Sequence, residues 1–264
     1  MISKKIKKNK IIFTGSTGSI GSFMPKNQNI IATNFRIEDT QIEIEKELRE
    51  SGATTLIHLA AMVNVKNCEN NVKKCNQINV NGSVKIFKAA SNVGFKKFIF
   101  VSTGQVYGLT KKIEKIKINK HKNPMTVYSK SKSKAENKLI ILAKSKKKIK
   151  LSIARVFSVL SNKMEKGFVY TTLNEIAKKD EDIPIYGLNN VRDFLYADQV
   201  CKKLIKLAYS KKFPSKVNIC SGKPKSIKQL AKSVFKSYGL SNKKIIESKE
   251  KYITNFLVGV PSKF

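Results

Sequence analysis

The 264-residue chain has no tryptophan, two histidines (His58 and His121) and four cysteines (Cys68, Cys75, Cys201 and Cys220). Two distant histidines make a poor zinc site and argue against a His-dependent triad. No cysteine pair has CxxC spacing, so the four read as reduced thiols. No apolar run approaches the ~18 residues needed to span a bilayer. The basic opening "MISKKIKKNK" lacks the apolar stretch of a signal peptide and runs straight into a strand, so it reads as part of the fold. The expected location is cytoplasmic.

Acidic residues are also scarce. Eighteen Asp and Glu against 53 Lys and Arg leave a formal charge of +35. Such a charge suggests a polyanion as partner. Only four basic residues are arginine, however: Arg36, Arg49, Arg155 and Arg192. Direct base readers and phosphate clamps lean on the planar guanidinium fork. The lysines run from end to end among plentiful Asn and Ile, which fits an AT-rich coding bias better than a binding face. Specific nucleic-acid binding is not expected; weak, salt-sensitive adhesion to polyanions is.

At 41% hydrophobic, the chain can bury a large core. Short apolar runs at 10–15, 29–33, 54–61, 96–103 and 150–158 alternate with helical patterns at 40–51, 79–93 and 128–145. Strands alternating with helices imply βαβ units and a parallel sheet covered on both faces. The fold class is therefore α/β, a Rossmann-type doubly wound parallel sheet. Residues 1–160 form this domain. Residues 161–264 form a small C-terminal lobe, with some of its segments returning to the core. Helices are expected within 167–179, 197–210 and 226–239, and a strand at 216–220.

The first strand runs into "TGSTGSIG". Gly15 permits a tight turn, Gly18 lets backbone approach a pyrophosphate, and Gly21 lets the next helix pack on the strand. Thr17, Ser19 and Ile20 complete the cradle. Pro25 restricts that helix to about two turns. The second strand usually ends in an acidic residue that holds ribose hydroxyls. Here Asn34 stands near that position and Arg36 follows. A cation suits a 2′-phosphate, so NADP is favoured over NAD; Glu38 and Asp39 keep NAD open.

"YSKSK" sets Tyr128 four residues before Lys132, on one helix face. A neighbouring ammonium lowers a phenol's pKa and suits it to proton transfer.

Together these stretches resemble the extended short-chain dehydrogenase/reductase family, in its NAD(P)-dependent epimerase/dehydratase branch acting on nucleotide sugars. "TGSTGSIG", "LIHLAA" (56–61), "NVNGS" (79–83), "FVSTGQVYG" (100–108), "YSKSK", "RDFLYADQV" (192–200) and "NICSGKPKSIKQLA" (218–231) occur in the family's order. The resemblance implies roles. Thr103 would hydrogen-bond the reacting sugar oxygen, Tyr128 would pass the proton, and Lys132 would hold the nicotinamide ribose. Leu59, Ala60, Ala61, Asn79 and the Phe157 backbone would line the cofactor. Met62 and Val63 would line the pocket wall or pack in the core. Arg192 would meet the substrate diphosphate, unless it pairs with Asp193. Ser158 stands where many members carry a substrate-binding Asn. Ser102 and His58 are read as structural.

The family's dehydratases carry an acid directly after the catalytic Thr, whereas Gly104 and Gln105 follow here. Reduction or 4-epimerisation is thus expected, with a nucleotide-sugar substrate and a homodimer built on helices 79–93 and 128–145. The chain stops at "FLVGVPSKF", where the family continues, so the lobe reads as shortened. A non-catalytic nucleotide sensor on the same fold is the rival reading; a polyanion binder comes last.

Overall fold

Alternating side chains of the first strand go to opposite faces of the sheet, and both faces are buried. Ile11 and Phe13 join one core, while Ile12 joins another. The computed structural model describes residues 10–146, 148–164, 168–179, 184–248 and 254–264. The basic opening lies outside the described residues up to residue 9, as does Gly167.

The strands are β1 (Ile11–Thr14), β2 (Ile30–Ala32), β3 (Thr55–His58), β4 (Lys97–Thr103), β5 (Lys115–Ile116) and β6 (Lys150–Val156). They continue with β7 (Ser158–Leu160), β8 (Val191–Tyr196), β9 (Lys216–Ile219), β10 (Pro224–Ser226) and β11 (Phe256–Gly259). The helices are α1 (Gln41–Glu50), α2 (Val65–Asn70), α3 (Val72–Asn76), α4 (Ser83–Val93), α5 (Val127–Ser145), α6 (Val169–Lys179), α7 (Ala197–Tyr209) and α8 (Ile227–Ser237).

A six-stranded sheet has the order β2-β1-β3-β4-β6-β9, and every pair in it is parallel. Chain direction therefore requires a crossover between neighbours, and α-helices supply it everywhere except between β1 and β2. On one face, α7 contributes Val200, Leu204 and Leu207 to the core. On the other, α1, α4 and α5 pack Ile44, Phe87 and Leu139 against Leu56, Phe98 and Ile153. Helix α1 starts with a reciprocal cap between Thr40 and Glu43. Helix α4 ends at Gly94, whose φ of 91° is left-handed.

The smaller sheet has the order β10-β8-β11-β5, with β7 beside β8. Its core joins Leu173 and Ile176 of α6 to Leu230, Val234 and Phe235 of α8. The two halves interleave more than a boundary at 160 suggests. Strand β9 and helix α7 return to the large sheet, and β5 leaves the first half to pair with β11. Strand β11 also pairs with β8, so it sits inside the lobe sheet.

Two local expectations need correction. The helix after the glycine turn is a single 3-10 turn, Gly21–Phe23, because the backbone is already extended at Met24, just before Pro25. Helix α4 does not start at 79. A π-helical turn over Gln77–Gly82 joins α3 to it, and this turn sets Asn79 inward.

Candidate active site

Parallel strands deliver their C-terminal ends to one edge of the sheet, and the loops leaving that edge enclose a cleft. It measures about 1040 Å³ and runs from the glycine turn, past Thr103 and Tyr128, to Arg192 in the lobe.

At one end, Gly15 has φ +75°, and a Cβ there would lie 2.8 Å from the Ala60 nitrogen. A Cβ on Gly21 would lie 2.0 Å from the Gly15 oxygen. Packing alone demands these two glycines. Gly18 is different: a Cβ there would meet only the Gly15 oxygen, at 3.3 Å, and would otherwise enter the cleft. Among the described residues, the N–H groups of Thr17, Ser19 and Ile20 make no backbone hydrogen bond. Such a row of free donors suits an anion. The short 3-10 turn adds little dipole, so these N–H groups carry the attraction themselves.

The neighbouring wall comes from the end of β2. The Glu47 carboxylate accepts from the N–H groups of Asn34 and Phe35, at 2.7 and 2.9 Å, and fixes that turn. Asn34, Arg36 and Glu38 line the cleft. Asp39 does not. Its carboxylate accepts from the Arg36 N–H at 2.8 Å and so supports the loop instead.

Leu59, Ala60, Ala61, Met62 and Val63 form the floor. Asn79 stands behind it rather than on it. Its side chain accepts from the Met62 N–H and donates to the Met62 oxygen, at 2.8 and 2.9 Å. A residue expected to touch cofactor thus positions the segment that faces the cleft.

The centre is built on β4 and α5. Thr103 ends β4 and accepts from the Gln105 N–H at 3.2 Å. Helix α5 begins with a reciprocal cap between Thr126 and Ser129. Glu69 of α2 accepts from the Val127 N–H at 2.8 Å. Those contacts set Tyr128, 9% exposed, on the cleft wall with Thr103. One turn on lies Lys132, 1% exposed, with Nζ 4.1 Å from the centre of the Phe100 ring.

The charges behave differently from the sequence expectation. Burial raises the Tyr128 pKa above its usual value, and the Thr103 hydroxyl offsets only part of that. Burial also pushes Lys132 down to about 7, against a smaller upward pull from Glu136. A buried ammonium loses its own charge near neutrality before it can strongly depress a phenol.

Glu136, one further turn along α5, was not singled out from sequence. It receives Ser102 Oγ at 2.6 Å and Arg155 Nε and Nη2 at 3.1 and 2.7 Å. Burial raises its pKa, but the Arg155 and Ser102 contacts outweigh that and leave it lowered. The pair ties α5 to β6, and the Ser102 bond ties it to β4. The continuing four-residue step Tyr128, Lys132, Glu136 was the available signal.

At the far end, Ser158, Asn190 and Arg192 line the cleft with Phe168, Tyr170 and Tyr186. Arg192 does not pair with Asp193. Its Nη1 donates to the Val191 and Asn255 oxygens, and its Nη2 to Asn255 Oδ1 at 2.5 Å. Burial pushes its pKa down to about 10. Asp193 instead accepts from Ser221, Gly222 and Gly259. Phe157 packs its ring into a core with Tyr107 and Cys220 and also lines the cleft.

A parallel sheet in this order, with a glycine turn and a Tyr–Lys step facing one cleft, defines an extended short-chain dehydrogenase/reductase. The chain belongs to the family described as GDP-mannose 4,6 dehydratase, which it matches over residues 4–256.

Among similar proteins is a "putative UDP-glucose 4-epimerase" of Methanocaldococcus jannaschii, 27% identical over 81% of this chain and 69% of that one. Another is a "GDP-6-deoxy-D-talose 4-dehydrogenase" of Aggregatibacter actinomycetemcomitans, 25% identical over 84% and 77%. A UDP-N-acetylglucosamine 4-epimerase of Methanobrevibacter ruminantium, in complex with UDP-N-acetylmuramic acid, shares the fold with a TM-score of 0.84 at 22% identity, over 97% of this chain and 91% of that one. A Thermus thermophilus UDP-glucose 4-epimerase with NAD has a TM-score of 0.82 at 20% identity. RMD from Pseudomonas aeruginosa with NADPH has 0.80 at 19%. Each of these two covers 96% of this chain and 90% of its own. Among the described residues, no helix is long and apolar enough to cross a membrane.

Proposed function

We propose that this chain is a nucleotide-sugar reductase or 4-epimerase that uses NADP, or alternatively NAD. The observation that carries this reading is the placement of Thr103 and Tyr128 on the wall of one cleft, one helical turn from buried Lys132.

The open space beyond Gly18 and the free N–H groups of Thr17, Ser19 and Ile20 fit a dinucleotide diphosphate. Arg36 at the cleft wall supports NADP, while the structural neighbours carry NAD in one case and NADPH in another. When bound, the dinucleotide supplies or accepts a hydride. Thr103 hydrogen-bonds the sugar oxygen, and Tyr128 gives it a proton or takes one. Lys132 holds the ribose. Arg192, already aimed by Asn255, takes the substrate diphosphate, and Ser158 flanks it. Gly104 stands directly after Thr103, where a dehydratase would carry its acid, which supports reduction or epimerisation over dehydration. A homodimer would use the α4–α5 face, where Ile141 is 68% exposed.

The test is Tyr128→Phe, assayed with NADPH and NADH and a panel of nucleotide sugars. Cofactor affinity should stay within about twofold while turnover falls by roughly 10²–10⁴-fold. Undiminished turnover in the variant would overturn the role of Tyr128.

A further inference from the structure

Cys68 and Cys75 lie seven residues apart. In one continuous helix that spacing would set them about 10 Å apart along the axis. The chain breaks instead at Asn71, whose φ of −143° and ψ of 76° end α2. The Asn71 side chain then caps α3 by accepting from the Lys74 N–H at 2.9 Å. Helix α3 folds back, and the two Sγ atoms come within 2.7 Å of each other. Both side chains are fully buried and share a cluster with Tyr128. Polar groups surround them: Cys68 Sγ faces the Met62 oxygen at 3.5 Å, and Cys75 Sγ faces Asn79 Nδ2 and Ser131 Oγ at 3.4 and 3.6 Å. None of this belongs to the proton transfer proposed above.

We propose that Cys68 and Cys75 form a redox site, a dithiol that peroxide closes to an intrachain disulfide behind Tyr128. The Sγ separation already lies near the ~2.05 Å of an S–S bond, so closure needs little backbone movement. One thiolate attacks a peroxide oxygen, the O–O bond breaks, and a sulfenic acid and a water result. The second Sγ attacks that sulfur, the S–O bond breaks, and a second water leaves. Two thiols lose two electrons and two protons, and one peroxide becomes two waters. Hydrogen peroxide is small enough to enter past Met62 and Val63, which separate the pair from the cleft. Burial pushes the Cys68 thiol up to about 12, with Cys75 adding to the rise, so the reaction is slow.

Closure fixes α2 against α3. Helix α2 carries Glu69, which caps α5, and Asn79 next to Cys75 holds Met62. The bond therefore acts on both supports of Tyr128.

The experiment treats the full chain with millimolar hydrogen peroxide and counts free thiols after denaturation, before and after reduction. Four thiols should become two and return to four with dithiothreitol. Trypsin cuts after Lys73 and Lys74, so the bond should appear as peptides 67–73 and 75–85 joined, with two hydrogens lost. Cys68→Ser/Cys75→Ser should keep both its remaining thiols. Four surviving thiols, a bond that includes Cys201 or Cys220, or irreversible loss of thiol would each overturn the site. This count needs no turnover, so it stands apart from the test of the proposed activity. In the same samples turnover should fall on oxidation and recover on reduction, and the double variant should show no such change. A disulfide that forms without altering turnover would overturn its coupling to Tyr128.

Discussion

Thr14 donates its hydroxyl proton to Nδ1 of His58, 2.8 Å away and 44 residues on. The direction follows from counting. Thr14 Oγ1 already accepts from the N–H groups of Leu59 and Ala60, both at 3.1 Å, so its own proton goes to the ring. Nε2 must then carry the ring proton and donate to Ser83 Oγ at 3.0 Å, and Ser83 donates onward to the Asn79 oxygen at 2.7 Å. One neutral imidazole thus links the glycine turn, the cleft floor and the π-helical turn.

That linkage predicts an acid-sensitive fold. Burial, with help from the charge on Lys132, pushes the His58 pKa down to about 3. The unfolded imidazole titrates near pH ~6.5. Between these values the unfolded state binds a proton that the folded state does not, so stability rises with pH. The His58 contribution is complete above pH ~6.5 and is lost towards pH ~3, at up to roughly 1.4 kcal/mol per pH unit. Urea unfolding across this range checks the slope, and the His58 ring signals should stay those of the neutral form.

Lys132 predicts a conflict between stability and function. Its charge is buried at pH 7 and below. Lys132→Met should raise stability at neutral pH by roughly 1–4 kcal/mol, since an apolar side chain of similar volume avoids the desolvation. The gain should shrink as pH rises above about 7, where folded Lys132 is already neutral. Turnover should be lost in the same protein. Melting curves at two pH values, paired with an assay, decide it.

Glu136 predicts the opposite. Glu136→Ala leaves the Arg155 guanidinium buried without its carboxylate. The expected cost is about 3–5 kcal/mol, read as a lower denaturation midpoint. Arg155→Ala/Glu136→Ala should recover part of it, because the double variant buries neither charge.

Arg36 predicts cofactor choice. Arg36→Ala should weaken NADPH binding by about 10- to 100-fold, as expected for a lost charge-assisted hydrogen bond. NADH affinity should hardly change. Equal loss for both cofactors would make Arg36 a support for the β2 loop rather than a selector.

The order of elements in the large sheet was legible in the sequence because its signals are local. Each strand is a short apolar run, and beyond β2 the crossovers are amphipathic helices, some with a stop such as Gly52 or Gly94. The glycine turn and the Tyr128–Lys132 step were legible for the same reason: a tight turn and a helix face are set by neighbours. The lobe strands β5, β8, β10 and β11 were not. They are short and draw their partners from distant segments, as β11 does from β5 and β8.

Sequence alone also determined which residue types could meet an anion or move a proton. Only the tertiary structure decided their surroundings. It buried most of Lys132 and Tyr128, and that burial moved both pKa values away from what an exposed helix face would give. It turned Asp39 and Asn79 from candidate ligands into supports. And it folded α3 back at Asn71, bringing together two thiols that spacing would keep apart. Desolvation and long-range contact are properties of the packed chain, and no local pattern encodes them.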